Sequence, residues 1–158
     1  MSSNAMKLID ILEESAIVAD LQAGTKMEVL DDLVEGVVEA NPALSKEELL
    51  HVLLEREELG STGIGDGVAI PHGKSQEISE IVSGFGLSKD GIEFDSLDGE
   101  PAHLFFLLVA PENSVGTHLK MLARISRMLK NGDFRRKLLE ADSQQEIYQI
   151  IADEDAKY

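Results

Sequence analysis

The sequence has no cysteine. Disulfides, thiolate metal sites and cysteine nucleophiles are therefore excluded, and nothing in the residues points to an oxidising compartment. It is also short of positive charge: 14 lysines and arginines stand against 30 acids, for a formal net charge of −16. A nucleic-acid binder needs a concentrated basic footprint to displace counterions, so no nucleic-acid partner is expected. An acidic surface instead steers a basic protein partner, or simply keeps the chain soluble. No apolar run reaches the length of a membrane span or a signal-peptide core. The longest, "LFFLLVA" at 104–110, suits a buried strand. A cytoplasmic protein without membrane insertion is expected. Metal-ligand spacings such as H-x-x-x-H and H-E-x-x-H are missing, so no metal is expected.

What is present fits one domain. A length of 158 residues is enough for a proper core, and 43% hydrophobic with 28% charged residues is ordinary for a globular chain. Residues 1–5, "MSSNA", read as a remnant of recombinant expression and are set aside, leaving 6–158 as the domain. "AIVADL" at 16–21 reads as a short strand. Thr25 with Glu28, and Ser45 with Glu48, form capping-box patterns that open two helices, running to about Ala40 and to Leu59-Gly60. "EIVSGFGL" at 80–87 alternates as a strand does, and "KDG" is expected to turn it into a hairpin partner, "IEF". "HLFFLLVA" at 103–110 is apolar on both faces, as a covered central strand would be. Thr117 is expected to cap a helix carrying Leu122, Ile125 and Leu129. Two more helices fit "FRRKLLEA" and the segment from Ser143. The expected fold class is α/β, a mixed parallel and antiparallel central sheet with helices on both faces.

The densest stretch is "GIGDGVAIPHGKS", residues 63–75. It nearly spells a phosphate-binding loop, with Gly67, Gly73, Lys74 and Ser75 in place, but five residues separate the glycines instead of four. Pro71 also removes an amide donor from any such cradle. The dinucleotide pattern G-x-G-x-x-G fails at Val68. No nucleotide or other cofactor is expected. What remains is a histidine, His72, after a short buried strand Val68-Ala69-Ile70. Pro71 restricts the chain before it, and Gly73 is expected to let the backbone turn away. Local chemistry alone leaves a reactive histidine and a space-filling turn residue both open.

The other candidates are weighed in the same way. His118 falls in the first turn of a helix, where free amides and the dipole favour anions and keep an imidazole neutral. His51 lies between Glu47 and Glu55 on a solvated face and reads as a surface ion-pairing residue. His103 reads as a hydrogen-bonded structural residue. Arg56 continues the Leu49–Leu53 stripe where an apolar residue is expected. Its charge there needs an anion or solvent, or serves the helix C-terminus.

The segment "REELGSTGIGDGVAIPHGK", 56–74, resembles the active-site stretch of the enzyme IIA proteins of the phosphoenolpyruvate-dependent phosphotransferase system, fructose/mannitol type, which includes the nitrogen-regulatory IIA proteins. The resemblance continues through "LFFLLVAPENSVGTHLKMLARISRML" to "EIYQII" and so spans residues 6–158 as one enzyme IIA domain. It implies a phosphotransferase in which His72 accepts a phosphoryl group from the phosphocarrier HPr. It places the family's second histidine on His118, its arginine on Arg56 and its threonine on Thr62, all as prospective partners of the phosphoryl group. Asp66 stands where asparagine is frequent, and its charge could slow transfer unless it points outward. Two roles follow: a nitrogen-regulatory protein that binds regulatory targets according to its phosphorylation, which the motifs favour, or a sugar-permease component feeding a IIB domain. A helix–sheet binding module with an inert histidine is the third reading.

Overall fold

A computed structural model describes residues 6–158. The expected remnant, 1–5, lies outside them. A 3-10 turn at Leu8–Asp10 leads into strand β1, Leu12–Val18. Two helices follow, α1 at Lys26–Ala40 and α2 at Lys46–Glu58. Both start as the capping residues predict: Thr25 accepts from the Glu28 amide at 3.2 Å and Ser45 from the Glu48 amide at 3.1 Å. Each bond satisfies one of the amides a helix start leaves free. Three short strands come next: β2 Gly63–Gly65, β3 Val68–Ala69 and β4 His72–Ser75. The long strands β5, Val82–Ile92, and β6, Ala102–Pro111, precede three helices. These are α3 Val115–Leu129, α4 Gly132–Glu140 and α5 Gln144–Asp155.

The sheet has the order β1-β5-β6-β3-β2, with β4 also pairing β6. β1 runs parallel to β5, β5 antiparallel to β6, and β3 and β4 parallel to β6. β6 is therefore central, and its residues 104–110 are at most 1% exposed. α1 and α2 cover one face; α3, α4 and α5 cover the other. The mixed α/β sandwich expected from the residue pattern is what forms.

Four local expectations are corrected. The first strand begins at Leu12, not Ala16. It is an edge strand, so Glu13, Glu14 and Ser15 reach solvent and hide its apolar pattern. "KDG" does not reverse the chain: β5 continues through it to Ile92, and Gly91 (φ 84°) lies within an irregular stretch of its pairing with β6. The reversal comes in residues 93–101, and the partner is β6. Thr117 does not cap α3. The N-cap position is Ser114, which makes no side-chain cap bond, and Thr117 sits exposed in the first turn. Finally, Gly73 does not turn the backbone away. It lies inside β4, where a Cβ would come 3.3 Å from the Val52 carbonyl oxygen; the missing side chain lets α2 rest on the strand.

Candidate functional site

The site is built by a chain that folds back on itself. After α2, residues 63–69 form a hairpin turned by Asp66 (φ 57°) and Gly67 (φ 76°), both in the left-handed region that a tight two-residue turn demands. The hairpin returns the chain beside Thr62, whose carbonyl accepts from the Ile70 amide at 3.0 Å. Pro71 then bridges β3 and β4 along β6, its carbonyl accepting from Leu108 at 2.9 Å. His72 pairs with Leu108 at the start of β4.

Strand alternation sets the direction of each side chain. Gly73 and Ser75 face α2; Ser75 Oγ donates to Glu48 Oε2 at 2.8 Å. His72 and Lys74 therefore face α3. There the His72 ring meets the His118 ring edge to face, with centroids 5.7 Å apart and planes at 74°. His72 Nδ1 lies 2.7 Å from the Ile70 carbonyl oxygen. A carbonyl only accepts, so Nδ1 carries the proton and Nε2 holds the free lone pair. The half-buried ring has a pKa below its ordinary value, chiefly through burial and then through the Arg56 guanidinium; the Ile70 bond and Glu57 oppose the shift.

His118 is 6% exposed, and its Nε2 has no hydrogen-bond partner among the described residues. Burial first, then the neighbouring His72 and Lys74, push its pKa down to about 4. Both rings are thus neutral at neutral pH. Arg56 is half-buried at the end of α2, where Nη1 donates to the Gly60 carbonyl at 2.8 Å. Thr62 is buried, and both its amide and its hydroxyl donate to the Glu57 carboxylate. Among the described residues, no cluster of three or more His, Asp or Glu could hold a metal. A groove of about 710 Å³ runs between Ile11, Leu44, Ile81 and Thr117, and includes neither histidine. The pair lies outside that groove, with His72 half-buried and His118 buried.

Residues 10–154 match the family model described as the phosphoenolpyruvate-dependent sugar phosphotransferase system, EIIA 2. The chain belongs to this EIIA type 2 family. The EIIA chain is 39% identical to a nitrogen regulatory protein of Bradyrhizobium diazoefficiens, over 93% of this chain and 95% of that one. It is 38% identical to the fructose-specific EIIABC component of Bacillus subtilis, over 95% of this chain but only 24% of that longer protein. The crystal structure of the nitrogen regulatory protein IIA-Ntr from Neisseria meningitidis superposes with a TM-score of 0.83 at 34% identity, covering 90% of this chain and 97% of that one. A mannitol IIA of Escherichia coli, solved in complex with phosphorylated IIB, shares the fold at 21% identity and a TM-score of 0.74.

Of the EIIA residues singled out by sequence, His72 and His118 meet directly, Arg56 lies close enough to lower the His72 pKa, and Thr62 is tied into the hairpin beside it. Asp66 is exposed at the hairpin tip. Val68 pairs with Leu104 and His72 with Leu108, four strand positions or roughly 13 Å apart, so the tip lies beyond the far end of that stretch. His51 is exposed, with Nε2 3.9 Å from Glu55, and His103 Nδ1 donates to the Ser88 carbonyl at 2.9 Å. Two residues were missed. Lys74 shares the His72 face, a placement that the i, i+2 rule would have given had β4 been recognised as a strand. Glu57 ends the Leu49–Leu53–Glu57 series at steps of four, one position past Arg56, and its side chain is only 6% exposed.

Proposed function

We propose that this EIIA domain is a phosphoryl carrier that takes its group from phospho-HPr onto His72 Nε2. The observation that supports this most strongly is the Ile70 carbonyl on Nδ1, which leaves Nε2 as the nucleophile of a neutral ring. As Nε2 attacks phosphorus, the P–N bond to the donor histidine breaks and that nitrogen recovers its electron pair. The phosphoryl group changes hands, and a donor ring that carries a proton on its other nitrogen leaves as neutral imidazole with no proton moving during the exchange. The transition state is loose, so positioning and compensation of spread negative charge are what the protein must supply.

The groups that would meet that charge are His118, whose ring lies against His72, Lys74 on the same strand face, and Arg56, whose charge already bears on the His72 ring. In this state the single hydroxyl proton of Thr62 is committed to Glu57, so donation to a phosphoryl oxygen would require it to rotate away. The likeness to nitrogen regulatory proteins over nearly their full length favours a regulatory role, in which phosphorylation switches binding to target proteins. The likeness to one quarter of a fructose-specific EIIABC component carries the second reading, onward transfer to a IIB domain of a sugar permease.

Incubation with phosphoenolpyruvate, enzyme I and HPr should add the mass of one phosphoryl group, labile to acid. His72→Ala should abolish the gain while keeping the wild-type melting curve within a degree or so, because a half-buried strand-start residue supports little core. Label that persists in His72→Ala but disappears in His118→Ala would reverse the assignment.

A further inference from the structure

Four charged residues in a row, Glu55 to Glu58, close α2, and one of them turns inward. Glu57 Oε1 lies 2.9 Å from Lys26 Nζ and 3.2 Å from the Thr62 amide nitrogen; Oε2 accepts from the Thr62 hydroxyl. Lys26, at the start of α1, is itself held 4.7 Å from the centre of the Phe94 ring and 3.6 Å from Asp95. A carboxylate buried this far survives only when its lone pairs are filled, and here they are. The contacts continue without a gap. Thr62 takes the Ile70 amide on its carbonyl, and the Ile70 carbonyl takes the His72 Nδ1 proton. One hydrogen-bonded path therefore runs from Lys26 through Glu57, Thr62 and Ile70 to the imidazole.

We infer that Glu57 is a positioning residue for His72: its buried carboxylate, locked by Lys26, fixes the hairpin strand whose bonds hold the imidazole in its Nδ1–H form. This rests on the phosphoryl-carrier reading for its consequence, but not for its geometry. The alternative role for Glu57 is a plain anchor that stabilises the end of α2 and nothing else. The two differ at the ring. An anchor affects the melting curve alone; a positioning residue sets which nitrogen carries the proton, and with it the supply of nucleophile.

The ring is read directly in long-range ¹H–¹⁵N spectra of the unphosphorylated protein, with no phosphoryl donor present. The wild-type His72 ring should show the Nδ1–H tautomer alone, and Glu57→Gln a mixture of both. Transfer from phospho-HPr should fall on the order of tenfold, the cost of a small misplacement of the reacting atom, with the apparent affinity for the donor unchanged. The ring meets His118 from α3 and shares its face of β4 with Lys74, while the charges of Arg56 and Glu57 reach it from the end of α2. Of these Glu57 is the only anion, so its neutralisation moves the acid limb of the rate profile to lower pH. The His118 tautomer, off the path, should not change. Thr62→Val removes only the hydroxyl; it should give a smaller loss in the same direction, and it carries the measurement if Glu57→Gln does not fold. A folded variant with the wild-type His72 tautomer and rate overturns the inference, as does a rate loss that merely follows the unfolded fraction. Failure of the wild-type chain to take label from phospho-HPr would overturn the carrier reading instead, and the ring spectra would still decide the role of Glu57.

Discussion

His118 and Arg56 show how far a single side chain is governed by its surroundings. His118 is buried without a hydrogen bond on Nε2, and its pKa falls from an ordinary 6.5 to about 4. Unfolding restores the ordinary value, so between these two pH values the unfolded chain binds the extra proton. The stabilisation from a neutral, buried ring is complete above about 6.5 and is lost as pH falls towards 4. Denaturant melts at neutral pH and near pH 5 should therefore show a larger loss for wild type than for His118→Gln, which removes the titration. Equal losses, or a His118 ring that titrates near 6.5 in the folded protein, would contradict this. Arg56 offers planar paired donors that a lysine cannot reproduce. Arg56→Lys should slow transfer and Arg56→Ala should slow it more, towards the roughly 10²–10³-fold seen when one preorganised donor is lost from a dry site. Both should melt close to wild type, since the one internal bond lost is to an exposed Gly60 carbonyl. Quench-flow rates beside melting curves test the pair.

At the scale of elements, the decisive contact is α2 against β4. Val52 packs on Gly73, and the same helix carries Arg56 and Glu57 to the far side of the strand from which His72 points. A Cβ at residue 73 would press on the Val52 backbone, which has less freedom to yield than a side chain. Gly73→Ala should cost about 1–3 kcal/mol, the usual range for overpacking. It should also reduce phosphoryl transfer per folded molecule, because α2 must shift and take its two charged residues with it. A variant that loses stability but transfers at the wild-type rate would show that α2 placement is not critical. The capping residues Thr25 and Ser45 were legible because a cap is a local bargain between one side chain and the amide three residues on. The turn at "KDG" was misread because a glycine at positive φ serves a strand irregularity as readily as a reversal. Only the pairing partner distinguishes the two.

For the whole molecule, the two ends of the described chain are joined through one buried carboxylate. Asp155, fully buried at the end of α5, accepts from Arg124 Nε at 2.6 Å and from the Ile9 amide at 3.0 Å, so α3, α5 and the first turn share it. Asp155→Ala would leave a largely buried guanidinium and a backbone amide without their acceptor. Removing one partner of a buried pair costs about 3–5 kcal/mol. A drop of that size in unfolding free energy is expected, while transfer by the molecules that remain folded should be unaltered, because Arg124 lies roughly a turn and a half beyond His118 along α3 and Asp155 is on α5. A loss under 1 kcal/mol would show that water replaces the carboxylate.

The residues by themselves determined the layered α/β class and the central strand at 103–110, and they singled out His72 as a candidate that only the family resemblance made a phosphoryl acceptor. The class and the strand follow from short-range rules: period, caps and apolar runs. Tertiary structure alone decided that Gly73 is a contact surface for α2, that the Thr62 hydroxyl donates its hydrogen bond to Glu57, and that His118 lies edge-on to His72. It also decided which nitrogen of His72 is free, since that is set by the carbonyl of Ile70, and the carbonyl is held in place by a hairpin whose other strand hangs from α2. The physical reason is range. A cap or a stripe is written within four residues, whereas a buried carboxylate or an imidazole tautomer depends on groups that meet only once the sheet has closed.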